Sequence, residues 1–415
     1  MESSEQISLI ARVSEVFSPA APINRRDLFA GRFEQLRRVF DAVNTRGQHA
    51  LIFGERGVGK TSLANIVSEV MMENRPPSKM TKVNCSKDDC FQSVWRKALE
   101  EIQLAVDLGR AEFGLNAAPK FSEFGANELL PDDPSPHDIR KAAMVLGKSM
   151  IIFDEFDRMG RQEAALFADT IKTLSDSSTD CTLVIVGVAQ NIDELIAEHA
   201  SIDRSLIQIL MPRMDADELH EILNKAMQSL EMTMDSSART LIVLLSQGLP
   251  HYAHVLGKAS AIEALHAKRR DITTDDVHTS IEAAIKNTQQ SIRSSYQQAT
   301  ASPRKDTLFK QVLLACALAE VDDLGFFASA DVREPLSRIM GKPYDIPNFS
   351  QHLDKFSSAD RGNVLEKAGT QRRFRFRFSN PLFQPFVIMR GIADGMLKQE
   401  DLIEILQRPP KMPLG

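Results

Sequence analysis

Two short runs of this chain carry residue types at spacings that could do chemistry. The first, Gly54-Glu55-Arg56-Gly57-Val58-Gly59-Lys60-Thr61, fits G-x-x-x-x-G-K-[ST] without a mismatch. Glycines there let backbone N–H groups turn inward around a β-phosphate, Lys60 neutralises β/γ oxygens, and the Thr61 hydroxyl suits Mg²⁺. Ser62 follows at the helix start and joins the expected cofactor-binding residues. The second run, Met150-Ile151-Ile152-Phe153-Asp154-Glu155, ends a buried strand on two carboxylates. Alone it reads equally well as a solvated strand end. Paired with a phosphate loop, it assigns Asp154 to the metal and Glu155 to the attacking water as general base. The implied chemistry is ATP hydrolysis, with ATP/ADP and Mg²⁺ as cofactors.

Such a loop needs a strand before it and a helix after it, and the surrounding pattern supplies both. His49 to Phe53 reads as a buried strand and Thr61 to Met72 as a helix. Met80 to Asn84, Ser149 to Phe153, Leu183 to Val188 and Leu206 to Met211 read as further strands. Continuous apolar runs separated by helices predict a parallel sheet covered on both faces. From Asp215 the pattern is helical only: Asp215 to Met227, Asp235 to Leu245, His251 to Ala267 and Thr273 to Lys286. Polar caps and an acidic first turn mark the last of these at Thr273-Thr274-Asp275-Asp276. A stretch rich in Gln, Ser and Thr then reads as a linker, in part as a helical extension.

Beyond it, helices over Thr307 to Val321, Val332 to Met340 and Asn348 to Ser357 precede strand-like segments at Asn363 to Glu366 and Arg372 to Phe378. In the last, Arg373, Arg375 and Arg377 take one face and Phe374, Phe376 and Phe378 the other, because strand side chains alternate. Helices followed by a basic hairpin suggest a winged helix. The expected division is an N-terminal segment 1–28, an α/β P-loop domain 29–213, a helical lid 214–287, a linker 288–305 and a winged-helix-like domain 306–415. A length of 415 residues exceeds what one core usually serves, which agrees.

With 43% apolar and 26% charged residues, the composition is that of an ordinary soluble globular protein. The longest apolar runs fall far short of the roughly 20 residues that span a bilayer, so no membrane is expected. The N-terminus lacks a basic start followed by an apolar core, and the four cysteines fit neither a disulfide framework nor a zinc site, so a cytoplasmic location is expected. A net charge of −6 gives no global attraction to nucleic acid. A local patch does: between Lys355 and Arg390 stand eight basic residues against two acidic ones. Arg373, Arg375 and Arg377 are therefore candidates for duplex DNA phosphates, with a protein effector, or plain strand solubility, as the alternatives.

The order Phe29-x-Gly31-Arg32, P-loop, Val83-Asn84-Cys85, Phe153-Asp154-Glu155-Phe156-Asp157, helical lid and winged helix resembles the origin-recognition and initiator branch of AAA+ ATPases. By that resemblance Ile23 to Arg32 would contact the adenine base. Gln190, with Asn191 beside it, would stand at sensor 1. Arg204 would be an arginine finger aimed at a neighbouring subunit's nucleotide, implying self-assembly, with Arg213 in reserve; a surface ion pair with Asp203 or Glu198 is the alternative. The lid departs from the pattern, because no arginine stands at the sensor 2 position. Gly248-Leu249-Pro250-His251 instead resembles the GxP motif of STAND ATPases, and His251 is either a phosphate contact or a packed helix-start histidine.

Overall fold

The computed structural model describes residues 3–19, 22, 27–74, 79–107, 121–188, 202, 204–302, 307–322, 324–370 and 373–406. Helices α1 (Ser3–Val16) and α2 (Phe33–Asn44) precede the first strand, β1 (His49–Gly54), and α3 (Lys60–Asn74) follows the P-loop. Then come β2 (Lys79–Asn84), α4 (Phe91–Glu100), a hairpin of β3 (Gln103–Asp107) and β4 (Phe121–Gly125), α5 (Pro136–Leu146), β5 (Ser149–Asp154), α6 (Arg161–Asp176), β6 (Cys181–Val188) and β7 (Leu206–Leu210). Five of these strands form one parallel sheet in the order β2-β5-β6-β1-β7. Each expected strand is present to within a residue or two. The β3–β4 hairpin was not expected.

Burial explains why those strands read as unbroken apolar runs. Ala50, Leu51 and Ile52 of β1 and Ile151, Ile152 and Phe153 of β5 are all inaccessible to solvent, since both sheet faces are covered. On one face Leu51, Phe153 and Ile185 pack with Trp95, Phe91 and Phe167. The Trp95 and Phe153 rings lie 5.1 Å apart, edge to face. On the other face Ile52, Ile152 and Val186 meet Leu63 and Val67 of α3.

The helical region comprises α7 (Ala216–Leu230), β8 (Thr233–Met234), α8 (Ser236–Ser246), α9 (Pro250–His266), β9 (Asp271–Ile272) and α10 (Thr274–Asn287). The caps read from sequence are made: Asp276 Oδ2 accepts from the Thr273 amide at 2.8 Å and from its hydroxyl at 2.9 Å. Helix α1 belongs with this region. Gln6 Nε2 donates to the Leu265 carbonyl, and a Cβ on Gly257 of α9 would stand 2.5 Å from the Phe17 ring.

Next follow α11 (Gln290–Thr300), α12 (Phe309–Ala317), β10 (Phe327–Ala328), α13 (Ser329–Met340), α14 (Ile346–Phe356), β11 (Leu365–Ala368), β12 (Arg375–Phe378), α15 (Phe383–Ala393) and α16 (Gln399–Leu406). The expected linker is mostly α11, held because Ile292, Tyr296 and Ala299 are buried and the Tyr296 ring meets Phe386 at 5.6 Å. The expected hairpin gains a third strand, giving the antiparallel order β10-β12-β11; two residues of β10 are too few to show a period. One apolar cluster runs unbroken from the α3 face of the sheet through the lid helices to α12 and α15.

Candidate nucleotide site

All five strands run parallel, so β1 and β5 deliver the P-loop and Asp154 to the same edge of the sheet, separated only by β6. Gly54 leaves β1 at φ 149°, and a Cβ there would stand 2.4 Å from the Met211 carbonyl oxygen, so only glycine fits. Lys60 is nearly buried and donates to the carbonyls of Gly54 at 3.1 Å and Glu55 at 2.7 Å. Burial lowers its pKa to about 8, against the attraction of Asp157, Asp154 and Glu55.

Opposite it, the Thr61 hydroxyl donates to Asp154 Oδ1 at 3.3 Å. Asp154 is 2% exposed, and its Oδ2 accepts no hydrogen bond among the described residues, while Lys82 Nζ stands 3.0 Å away. A buried carboxylate oxygen beside a hydroxyl is a donor set that fits Mg²⁺, which takes one or two protein oxygens and completes its shell with phosphate and water. Glu155 takes the left-handed conformation at φ 57°, uncommon outside glycine, and its half-exposed carboxylate accepts from Arg158 at 3.1 Å.

These residues line one end of a cavity of about 450 Å³, shared by Arg56, Gly57, Gly59, Lys60, Thr61, Ser62, Asp154 and Glu155. Ser18, Pro19, Pro22, Pro250, His251 and His254 line it as well, and Leu382 reaches in from the C-terminal region. The Gly-Leu-Pro string therefore stands at the site. Gly248 turns at φ 75°, and Pro250 opens α9 against the P-loop. His251 Nδ1 lies 2.9 Å from the Pro19 carbonyl, and burial lowers its pKa.

Several residues here escaped the sequence reading. Asp157 Oδ1 accepts from the Val188 amide at 2.8 Å and so ties the acidic tip to the end of β6. Lys82 was detectable in principle, because it lies two residues before Asn84, the β2 residue paired with Asp154 of β5. The largest omission concerns Arg213. It is no finger candidate: its Nε donates to Glu55 Oε2 at 2.7 Å, and its Nη1 to Gln384 Oε1 at 2.5 Å and to the Gln247 carbonyl at 3.3 Å. With side chains 12% and 5% exposed, Arg213 and Glu55 form a buried ion pair. A Cβ on Gly325 would lie 2.0 Å from Glu55 Oε1, so the turn before β10 rests on the same carboxylate.

Arg204 is exposed two residues before β7, six residue steps and some 20 Å from the end of that strand at the P-loop edge. It cannot reach the nucleotide of its own chain. Gln190 and Asn191 lie outside the described residues. In the basic hairpin the alternation holds, with Arg373 and Arg375 exposed and Phe376 and Phe378 buried. About half of the expected excess of charge is offset by three acids outside the counted window, Asp322, Asp354 and Asp394, and Glu366 within it is paired too. Arg375 pairs with Asp322, Lys367 with Asp354 at 2.6 Å, Arg390 with Asp394 at 3.0 Å, and Arg377 with Glu366 at 2.6 Å. Among the described residues no helix is long and apolar enough to cross a membrane.

A parallel sheet whose P-loop and acid pair meet at one edge, covered by a helical lid that touches the loop, defines a P-loop nucleotide-binding protein. Within that class the chain belongs to the novel STAND NTPase 1 family, whose sequence profile matches residues 22–323. No curated protein matches it. Similar solved structures include the Orc1 protein of Aeropyrum pernix in complex with DNA, 16% identical with a TM-score of 0.49 over 92% of this chain and 97% of that one. A Walker-type ATPase of Pyrococcus abyssi is 15% identical, with a TM-score of 0.48 over 90% and 99%. The Cdc6p protein of Pyrobaculum aerophilum is 14% identical, with a TM-score of 0.45 over 92% and 99%.

Proposed function

We propose that the protein is an ATP-hydrolysing switch whose C-terminal region, residues 306–415, docks on or leaves the P-loop domain, residues 29–213, according to the nucleotide bound. The observation that carries this reading is the buried contact of Glu55, a residue of the P-loop itself, with Arg213, which reaches Gln384 and the lid carbonyl of Gln247. A shift of the loop on gaining or losing a γ-phosphate would change a contact that holds three regions together. In this reading Thr61 and Asp154 would hold Mg²⁺, whose charge would offset that of the phosphates. Lys60 faces the β/γ oxygens, Glu155 takes the proton of the attacking water, and Gln190 or Asn191 orients that water. Residues 214–287 act as the hinge-borne lid.

A protein partner suits the C-terminal region better than duplex DNA, because most of its arginines are already paired with acids. Protein trapped with ATP by Glu155→Gln should exchange amide hydrogens faster over Phe383–Ala393 than the ADP-bound wild type. Equal exchange in ATP, ADP and nucleotide-free samples would reject the switch.

The order helix, strand, two helices and two antiparallel strands favours a second reading, a winged helix that binds DNA through Arg373, Arg375 and Arg377. Each phosphate contact would add about 0.9 to the log–log salt slope. No salt-sensitive binding to random duplex DNA in any nucleotide state rejects that reading.

A further inference from the structure

Among the buried side chains that line the cavity, His254, 6% exposed, has neither Nδ1 nor Nε2 hydrogen-bonded to a described residue. Leaving a buried polar atom unpaired is costly, and both atoms belong to one ring. Its neighbour His251, one turn earlier, does find a carbonyl, that of Pro19. Packing alone accounts for the position of the His254 ring, which meets Phe17 edge to face at 5.9 Å. Packing does not account for its nitrogens.

The place of His254 narrows what those nitrogens serve. Pro250 sets the start of α9 against the P-loop, its Cγ 4.0 Å from where a Cβ on Gly59 would stand. Residue 254 lies about 6 Å further along the helix axis and lines the same cavity. The walls there include Pro19, Pro22 and Pro250, flat rings that offer no hydrogen bond from their nitrogens and suit the face of a planar base. Burial, then the nearby His251, lowers the His254 pKa to about 4, so near neutral pH the ring carries one donor and one acceptor. A nucleobase edge presents the same mixture.

We propose that His254 hydrogen-bonds the nucleobase of the bound triphosphate and sets which base the site prefers. The proposal rests on the reading of the cavity as the nucleotide site. The two are separable, because inorganic triphosphate probes the phosphate end alone.

Binding of ATP, GTP, CTP, UTP and inorganic triphosphate by the full chain is to be measured by calorimetry for the wild type, His254→Phe and His254→Gln. His254→Phe should weaken the preferred nucleotide about 10- to 100-fold, level the four nucleotides and leave inorganic triphosphate unchanged. His254→Gln, which keeps a donor and an acceptor, should restore part of the preference. An equal loss on all four nucleotides would place the contact on the ribose, and an equal loss on inorganic triphosphate would place the effect in the fold; either overturns the proposal. If His254→Phe does not fold, wild-type protein labelled with ¹⁵N-histidine decides. The His254 ring nitrogens should shift with the preferred nucleotide and stay put with inorganic triphosphate, and no shift with any nucleotide overturns the assignment. A wild type that binds neither nucleotide nor inorganic triphosphate refutes the nucleotide site itself.

Discussion

Arg213→Ala removes one half of the buried pair and leaves the Glu55 carboxylate, 5% exposed, without its cation. Breaking such a pair from one side costs roughly 3–5 kcal/mol, because the remaining charge stays desolvated. The same change deletes the bonds to Gln384 and Gln247, so about 4 kcal/mol is expected, a large part of an ordinary folding stability. Glu55→Gln in the Arg213→Ala background takes away the stranded charge and should recover about half of that loss. A double-mutant cycle should then give a coupling of at least about 2 kcal/mol, larger by whatever Glu55→Gln costs alone. Urea denaturation of the wild type, both single variants and the double variant measures it. Gly325→Ala supplies an independent check, since its methyl would press on Glu55 Oε1 and should loosen the C-terminal region while both charges remain. A cost below about 1 kcal/mol for Arg213→Ala, or additivity within about 0.5 kcal/mol, would refute the claim that this pair joins the P-loop to the C-terminal region.

Lys60, with its pKa lowered to about 8 by burial, should regain its full charge on meeting polyphosphate. ATP binding at pH 8 should therefore take up about half a proton, falling to about a tenth at pH 7; calorimetry in buffers of different ionisation enthalpy reads this, and Lys60→Met should abolish it. Glu155→Gln should bind Mg-ATP like the wild type while turnover falls roughly 100-fold or more, as measured by phosphate release. Arg204→Ala should lower turnover without weakening ATP binding, and wild-type specific activity should rise with protein concentration. Flat activity across a dilution series would return Arg204 to the surface charges.

The sheet was legible because a parallel strand buried on both faces must be apolar throughout, and His49–Gly54, Ser149–Asp154 and Cys181–Val188 are such runs. The phosphate loop was legible because its chemistry is local: eight consecutive residues carry it. What could not be read are contacts between residues far apart in sequence. Glu55 and Arg213 are 158 residues apart, and Arg213 and Gln384 are 171 apart, and no periodicity relates them. Counting charges within a window failed at the hairpin for the same reason, since Asp322 and Asp354 approach it from other elements. His254 sits in a helix so evenly apolar that nothing marks the face turned to the cavity.

Leu382 lines the nucleotide cavity, its carbonyl accepts from the Tyr252 hydroxyl at 2.7 Å, and Ser18 and Pro19 line the same cavity from the other end of the chain. Chain order gives this closure a meaning in time. A ribosome finishes the phosphate loop early, but the last wall of the site is made more than 300 residues later. A nascent chain therefore has a loop able to hold phosphate well before it has an enclosed place for the nucleoside. Tight retention of a nucleotide would then certify that synthesis has passed Leu382 and that this segment has docked.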